Sequence, residues 1–318
     1  MTKLKIFFDA RMVAYQGSAS PSSHKPAEIV AYWQNLHSSN IQLETVAPAT
    51  FQQIALAHDL EYVRNILACK EDNGFGERSL AVAESLPWAV GAMIGAARSA
   101  YHNRVNTCAP VSGFHHAGWE SACGFCTFNG LMVAARVLLQ EGAKRVGILD
   151  CDMHYGNGTD DILDHVLSGS TPSGAARANV HANGNLEAGG VGCPIRHYTF
   201  GEHYEGVHSS TRPRYAAQHF LENLPNVVQT MADCDVILYQ AGADPHVDDP
   251  YGGCLTDADL AERDDTVFRM ARDLGVPVAW NLAGGYRKDA LGGITPVLET
   301  HTTTLKACLA SMRGAEKP

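Results

Sequence analysis

The chain carries little charge, and no segment of it is rich in basic residues. Only 18% of its 318 residues are charged, and 34 acidic side chains outnumber 24 Lys and Arg side chains, so the formal net charge is −10. Proteins that bind nucleic acid through its phosphates need clustered Lys and Arg side chains. The composition therefore predicts no nucleic-acid partner, whereas an acidic surface is compatible with cationic substrates.

Long apolar runs are also missing from the sequence. No stretch approaches the roughly 18 consecutive apolar residues of a membrane-spanning helix, and the first residues, MTKLKIFFD, are too poor in apolar content for a signal peptide. The nine cysteines are an odd number and lack the spacing of a disulfide scaffold. We therefore expect reduced thiols, a cytoplasmic location and no membrane partner. The oligomeric state stays open.

Short apolar segments alternate along the chain with longer stretches of helical periodicity. The strand candidates are Leu4–Phe8, Thr107–Val111, Val146–Leu149, Val236–Gln240 and Val276–Leu282. The helix candidates are Ala27–Leu36, Leu60–Cys69, Trp88–Tyr101, Phe128–Gln140, Asp160–Leu167, Tyr215–Met231, Asp257–Leu274 and Thr295–Met312. The alternation predicts a single α/β domain over residues 1–318, with a parallel sheet and helices on both faces. For Ser168–Gly192, which is rich in Gly, Ala, Ser and Asn, we predict a long loop with a short strand near Ala178–Val180.

Polar side chains follow the predicted strands at the points where those strands end. The segment LDCDMH closes one buried strand, and the alternation of an extended chain puts Asp150, Asp152 and His154 on one side of it. Three other segments place functional side chains after their own strands: the tandem pair His115-His116, Asp244 and Tyr286. Because sites in open parallel sheets form at the carboxyl ends of strands, the sequence predicts that these groups share one crevice. The alternative for LDCDMH is a solvated acidic loop.

Asp152, His154 and Asp244 have the chemistry of a three-ligand metal site. Carboxylate oxygen and imidazole nitrogen suit Zn²⁺, Fe²⁺ or Co²⁺ better than Mg²⁺. Two carboxylates and a neutral imidazole balance a divalent ion, and three protein ligands leave the open position that a catalytic site needs. The sequence therefore predicts one catalytic metal ion.

The remaining polar groups suit proton transfer and charge stabilisation. A neutral imidazole of the pair His115-His116 can take a proton, and an imidazolium can give one to a leaving amine. A carboxylate such as Asp150 can orient one ring, and the phenol of Tyr286 can donate a hydrogen bond to an oxyanion. The structural alternatives are hydrogen-bonded core histidines and a packing aromatic.

Cys123 and Cys126 form a CxxC segment that stands apart from these groups. Without a second CxxC it is a weak zinc signal. Our interpretation is two packed thiols beside a Gly-Phe turn, and the alternative is a redox pair.

The order of these segments resembles that of the zinc-dependent histone deacetylase and acetylpolyamine amidohydrolase family. The matching segments are SGFHHA, GFCTFN, DCDMHYGNGT, AGAD with the following DP, and GGY, spread over residues 107–290. Each segment is unspecific alone, but their combination is specific. The resemblance implies the arginase–deacetylase α/β fold and hydrolysis of an N-acyl amide, with acetyl-lysine in a peptide or protein, or an acetylated polyamine, as substrate.

The resemblance also implies ligands for ions. Asp152, His154 and Asp244 would bind one catalytic Zn²⁺. A structural K⁺ would lie near Asp150 and use main-chain carbonyls.

Further roles follow from the same resemblance. Asp150 would contact His115, Asn157 would contact His116, and Tyr286 would polarise the acyl carbonyl. The acyl-lysine tunnel would be lined by three residues: Gly124, Phe125 and, opposite them, Phe200.

Two positions depart from common members of the family. Tyr155 replaces a second histidine after the metal-binding one, which should change packing rather than remove the metal. Asn157 stands where some members have Asp, which weakens charge relay through His116. Two alternatives remain: an arginase-like binuclear ureohydrolase, with Asp248 and Asp249 as extra ligands, and a non-catalytic acyl-lysine binder.

Overall fold

One parallel sheet forms the centre of the fold, with helices packed on both of its faces. The computed structural model describes residues 3–15, 20–167, 178–185, 193–206 and 213–314. Within these ranges all paired strands are parallel and form one eight-stranded sheet of order β2-β1-β3-β8-β7-β4-β6-β5. The strands are β1 Leu4–Phe7, β2 Ile41–Glu44, β3 Thr107–Ala109, β4 Val146–Asp150, β5 Ala178–Asn179, β6 Ile195–Thr199, β7 Val236–Gln240 and β8 Val278–Asn281.

The helices cover both faces of this sheet. In the described ranges they are α1 Lys25–His37, α2 Phe51–Ile54, α3 Leu60–Leu67, α4 Leu80–Asn103, α5 Gly130–Gln140, α6 Asn157–Leu167, α7 Phe200–Tyr204, α8 Pro213–Gln229, α9 Asp257–Leu274 and α10 Thr295–Arg313. Local chemistry sets several of their ends. For example, Thr256 and Asp259 form a capping box at the start of α9, and Gly275 ends it in the left-handed conformation. The predicted α/β class with a parallel sheet is thereby confirmed.

Two apolar clusters, one on each face, hold the sheet between the helices. Alternate residues of β7 illustrate the division: Ile237 and Tyr239 belong to the cluster with α1, α8, α9 and α10, whereas Val236 and Leu238 belong to the cluster with α3, α4, α5 and α6. A strand buried on both faces needs apolar side chains at nearly every position. This is why the central strands were recognisable in the sequence.

The elements missing from the sequence prediction are β2, β6, α2 and α7. In β6 all five residues are buried although three of them, Arg196, His197 and Thr199, are polar or charged. Arg196 pairs with Asp233, and His197 Nδ1 lies 2.8 Å from Asp160 Oδ1. Since these partners lie in distant segments, no local pattern announced a buried strand here. Most of the predicted loop Ser168–Gly192 lies outside the described residues.

The helix α4 is long and apolar. Among the described residues it is the one helix whose length and composition would allow it to cross a membrane. Within the fold, 56% of its apolar 18-residue stretch is buried. The core helix of a folded domain has the same properties, and α4 packs against α5 and β3. Its apolar character is therefore weak support for a membrane role.

Candidate metal centre and active site

The carboxyl ends of four neighbouring strands bring the predicted groups together. The strands β3, β8, β7 and β4 are adjacent in the sheet. Asp150 is the last residue of β4, and Asp244 and Tyr286 follow the ends of β7 and β8. Residues that follow these strand ends line one crevice together with Gly124: His115, His116, Asp152, His154 and Tyr286. Sheet order thus converts scattered segments into one site.

The three predicted ligands converge on a single point. One ligand atom each from Asp152, His154 and Asp244 lies within 4.8 Å of the others. His154 Nδ1 is 3.2 Å from both Asp152 Oδ1 and Asp244 Oδ2. Asp244 Oδ2 is buried and accepts no hydrogen bond within the described part of the chain. A buried carboxylate oxygen without a donor is costly unless a cation compensates it, so the donor set fits a divalent metal.

The pKa values of all three candidate ligands are shifted strongly from their usual ranges. Burial and the neighbouring Asp152 raise the pKa of Asp244 to about 7. Against the effect of burial, the positive charge of His115 and the adjacent His154 hold the pKa of Asp152 well below its usual range. Burial lowers the pKa of His154, but the adjacent carboxylates of Asp152 and Asp244 outweigh it and raise this pKa to about 11. Two carboxylates held this close require positive charge between them.

At Gly284, beside the three candidate ligands, there is no space for a side chain. The Gly284 amide donates to Asp152 Oδ2 at 2.7 Å. A Cβ at Gly284 would lie 2.1 Å from Asp244 Oδ2. The first glycine of the Gly-Gly-Tyr segment is therefore required for the two carboxylates to approach each other.

The tandem histidines have different partners. His115 is buried, and its Nδ1 lies 2.7 Å from Asp150 Oδ2. His116 Nδ1 lies 2.6 Å from Asn157 Oδ1. Because an amide oxygen only accepts, His116 Nδ1 donates and its Nε2 is left unprotonated in the neutral ring. The structure thus makes the two contacts that the resemblance implies.

Burial and charge separate the pKa values of the two histidines. Burial opposes the charged form of His115, but Asp150 and Asp152 outweigh it and raise its pKa to about 9. Burial and the neighbouring His115 lower the pKa of His116 to about 4. Pairs of titratable groups with diverging pKa values are typical of acid–base sites.

Tyr286 points its ring into the crevice. Its backbone N–H donates to Asp249 Oδ2 at 2.8 Å, and its ring centroid lies 5.9 Å from that of Phe125 and 4.7 Å from that of Tyr251. Burial raises the pKa of the phenol well above its usual value. The hydroxyl therefore stays protonated and is available as a donor.

Gly124 and Phe125 form the tip of a tight turn against the tandem histidines. Cys123 and Cys126 pair on either side of them, and both tip residues have positive φ, 54° and 64°. This is the conformation of a type I′ hairpin turn. A Cβ at Gly124 would lie 2.3 Å from His116 Cδ2, so the glycine packs directly on the imidazole.

The structure does not bring Phe200 to the crevice. Its ring is fully buried in the core, with ring centroids of Tyr204 and Phe220 each 4.7 Å away. The position is the first residue of α7, which the sequence prediction missed, and the helix turns the side chain into the core. Tyr251 is the aromatic residue found at the crevice instead. It is 48% exposed, and its ring contacts Tyr286 and His154.

Lys25 is a site residue that sequence reasoning missed. It is fully buried at the start of α1, and its Nζ donates to the carbonyl of Ala283 at 2.5 Å. Ser112 Oγ donates to the same carbonyl at 2.7 Å, and Ala283 has a positive φ of 58°. Burial lowers the pKa of Lys25 to about 8 although nearby carboxylates oppose the shift. Lys25 therefore helps to hold the strained residue that precedes Gly-Gly-Tyr.

The implied potassium ion near Asp150 stays a prediction. Asp150 Oδ1 accepts from the Asp152 amide and from Gln240 Nε2, both at 3.0 Å, and Oδ2 faces His115. The carboxylate is thus already well supplied with N–H donors. An ion there would depend mainly on main-chain carbonyls.

Asp248 and Asp249, the extra ligands that a binuclear metal site would need, do not point to the three candidate ligands as a second set. One accepts hydrogen bonds from backbone amides, and the other is exposed to solvent. Asp249 accepts from the amides of Tyr251 and Tyr286, and the Asp248 side chain is 78% exposed. The described residues contain one metal-binding group, the one already given. Tyr155, which replaces the second histidine, bonds Asp160 Oδ2 at 2.5 Å and leaves the metal ligands in place.

Several known proteins are similar in sequence to this chain. An uncharacterized protein of Picosynechococcus is 30% identical over 243 residues, which cover 74% of this chain and 76% of that protein. Acetylpolyamine amidohydrolase 1 of Pseudomonas aeruginosa and the acetylpolyamine amidohydrolase of Mycoplana ramosa are each 31% identical over 56% of this chain. The matched segment spans half the length of these two amidohydrolases.

Solved structures share the fold. The HDA15 HD domain superposes with a TM-score of 0.69 at 23% identity, covering 99% of this chain and 90% of that one. The acetylpolyamine aminohydrolase of Burkholderia pseudomallei superposes with a TM-score of 0.67 at 14% identity, covering 97% and 99%.

The family model described as the histone deacetylase domain matches residues 22–301. The named relatives are hydrolases that act on amides. The match includes every strand end that contributes to the crevice, together with Lys25. The chain therefore belongs to the histone deacetylase family.

Proposed function

We propose that this protein is a zinc-dependent deacetylase that hydrolyses the N-acetyl amide of acetyl-lysine or of an acetylated polyamine. The observation that carries the proposal is the convergence of Asp152, His154 and Asp244 beside the two partnered histidines and Tyr286. The named relatives act on acetylated polyamines or are histone deacetylases. A binder without activity would not need this set of proton-transfer groups.

The chain's own residues divide the reaction between them. A zinc ion held by the three ligands would supply Lewis-acid activation of water and of the acyl carbonyl. His116, with Nδ1 donating to Asn157, presents Nε2 as the acceptor of the proton that the attacking water loses. His115, fixed by Asp150, supports the positive charge that this transfer creates nearby, and one of the pair returns a proton to the leaving amine.

Tyr286 and the turn at Gly124 complete the site. The protonated phenol donates to the oxygen that becomes negative when the amide carbonyl is attacked. Phe125, Tyr286 and Tyr251 give the crevice mouth an aromatic wall, which suits the aliphatic part of an acylated amine.

Metal content and activity measured on the same samples test the proposal. We expect one zinc ion per chain in the active protein, and Asp244→Ala should lose both the tightly bound metal and the activity. Asp265→Ala is the matched control, because this aspartate is exposed on α9 and pairs with Arg269 on the same helix. Stoichiometric zinc in Asp244→Ala would reject the ligand assignment, and two ions per chain would favour a binuclear ureohydrolase.

The substrate is tested by comparing kcat/KM for acetyl-lysine peptides, longer acyl-lysines and acetylpolyamines. We expect activity on acetylated amines and none on guanidino substrates. Absence of turnover on every acylated amine, with zinc bound, would contradict the proposed function.

A further inference from the structure

Two cysteines flank the turn that packs on His116. Cys123 and Cys126 exchange both backbone hydrogen bonds, at 3.1 and 2.8 Å, as an isolated antiparallel pair. Residues paired in this way have Cα atoms about 5.5 Å apart, inside the range of roughly 4.4–6.8 Å that a disulfide spans. Their side chains lie on the same face of the pair.

The side chains also contact the backbone of the same residue, His116. Cys123 Sγ donates to the carbonyl oxygen of His116 at 3.4 Å, and the backbone of His116 also hydrogen-bonds the Cys126 thiol. Cys126 Sγ donates to the carbonyl oxygen of Gly124 at 3.4 Å, so both thiols lie at the backbone of the turn and of the residue it packs on. All nine cysteines of the chain are free thiols, so this pair is reduced in the structure.

The two thiols differ in access. Cys123 is exposed, whereas Cys126 is buried and lines the crevice beside the metal ligands. A small oxidant can therefore reach Cys123 first, and Cys126 is placed to react only with Cys123. Burial raises the pKa of both thiols, so exchange is slow near neutral pH and the difference in access sets its order.

We propose that Cys123 and Cys126 form a reversible disulfide, made by exchange with a low-molecular-weight disulfide such as oxidised glutathione. The Cys123 thiolate attacks one sulfur of the reagent, whose S–S bond breaks and releases one thiolate. The Cys126 thiolate then attacks the Cys123 sulfur of the mixed disulfide and releases the second. The protein loses two hydrogens as protons, and the reagent gains the electron pair as two thiols.

Oxidation changes the wall of the catalytic crevice. The new bond removes both thiol contacts with the His116 backbone, and it constrains the turn whose Gly124 packs on the His116 ring. This consequence rests on the proposed function. We expect turnover to fall about tenfold, less than the roughly 10²–10⁴-fold that loss of general-base catalysis costs, because the ring is displaced and not removed.

The test is incubation of the zinc-loaded protein with oxidised glutathione, followed by intact-mass and peptide-mass analysis. We expect the mass to fall by two hydrogen atoms, a cross-linked peptide containing Cys123 and Cys126, and recovery of both mass and turnover with dithiothreitol. Cys123→Ser keeps a donor to His116 but should abolish the mass change and the inhibition. Cys69→Ser, at a half-buried cysteine elsewhere, should retain both.

The outcomes separate this proposal from the proposed function. A cross-link between other cysteines, or a stable glutathione adduct on Cys123 without ring closure, would overturn the disulfide. A Cys123–Cys126 cross-link with unchanged turnover would overturn the effect on the crevice. If no acylated amine is a substrate, the mass change still tests the disulfide by itself.

Discussion

Replacing Gly124 by alanine should disable the site while leaving the fold almost intact. Gly124 has φ +54°, and a Cβ there would lie 2.3 Å from His116 Cδ2 and 2.9 Å from His116 Cγ. Real Cβ atoms do not approach other atoms this closely, so the imidazole must move. Because Nδ1 of that ring is held 2.6 Å from Asn157, the movement breaks the contact that fixes its orientation.

The magnitude has two parts. The left-handed backbone conformation costs an alanine roughly 1–2 kcal/mol, and this part should appear in the free energy of unfolding. Displacement of the general base should lower kcat by up to the roughly 10²–10⁴-fold that general acid–base catalysis contributes. Gly275→Ala is the matched control. It has φ +70° at the end of α9 with open space around the new Cβ, so only the backbone cost applies.

The assay combines denaturant unfolding, zinc content and turnover for both variants. We expect similar losses of stability and full zinc content in both, with loss of turnover confined to Gly124→Ala. If Gly124→Ala retained the turnover of Gly275→Ala, then either the ring does not need its present position or His116 does not transfer the proton.

Three other perturbations have defined outcomes. Tyr286→Phe should lower kcat by about 10²–10³-fold with KM and zinc content little changed; an intact kcat would make Tyr286 a packing residue. Lys25→Met leaves the Ala283 carbonyl with Ser112 alone, and we expect a loss of roughly 1–3 kcal/mol in unfolding free energy together with a lower kcat, whereas unchanged values would show that Lys25 is dispensable. Burial lowers the pKa of His58 to about 4 from 6.5. The folded state therefore binds fewer protons than the unfolded state between these values, and His58 should cost about 2 kcal/mol of stability between pH 7.5 and 5. The loss should be smaller in His58→Gln, and an identical pH dependence would contradict this assignment.

The geometry of His58 explains why its titration matters. Its Nδ1 donates to the carbonyl of Gly118 at 2.8 Å, and its Nε2 accepts from the Asn129 amide at 2.8 Å. Protonation of Nε2 would remove that acceptor at the start of α5. The residue thus ties the loop after the tandem histidines to a helix N-terminus, a role that nothing in its local sequence suggests.

The segments that carry chemistry were recognisable before the structure because their patterns are local. In β4 an unbroken apolar run is followed by alternating Asp150, Asp152 and His154, and both periodicity and strand-end position can be read from consecutive residues. The bounds of β7 and α9 agree with the prediction for the same reason.

Other features depended on residues far apart in the chain. The family resemblance predicts Phe200 at the crevice, but the short helix α7 turns its ring toward Phe220. Tyr251 lies at the crevice because the loop after β7 places it there, and the sequence did not predict the path of that loop.

The sequence by itself therefore determined the fold class and the central strands, and it predicted the candidate metal ligands and proton-transfer groups. These follow from apolar periodicity and from residue types whose chemistry has few alternatives. Only the tertiary structure decided that Lys25 donates to the Ala283 carbonyl, that Gly124 packs on His116 and that Cys123 contacts the His116 backbone. The physical reason is that burial, and the close approach of non-adjacent segments, arise from packing of the whole sheet and its helices, which no local pattern encodes.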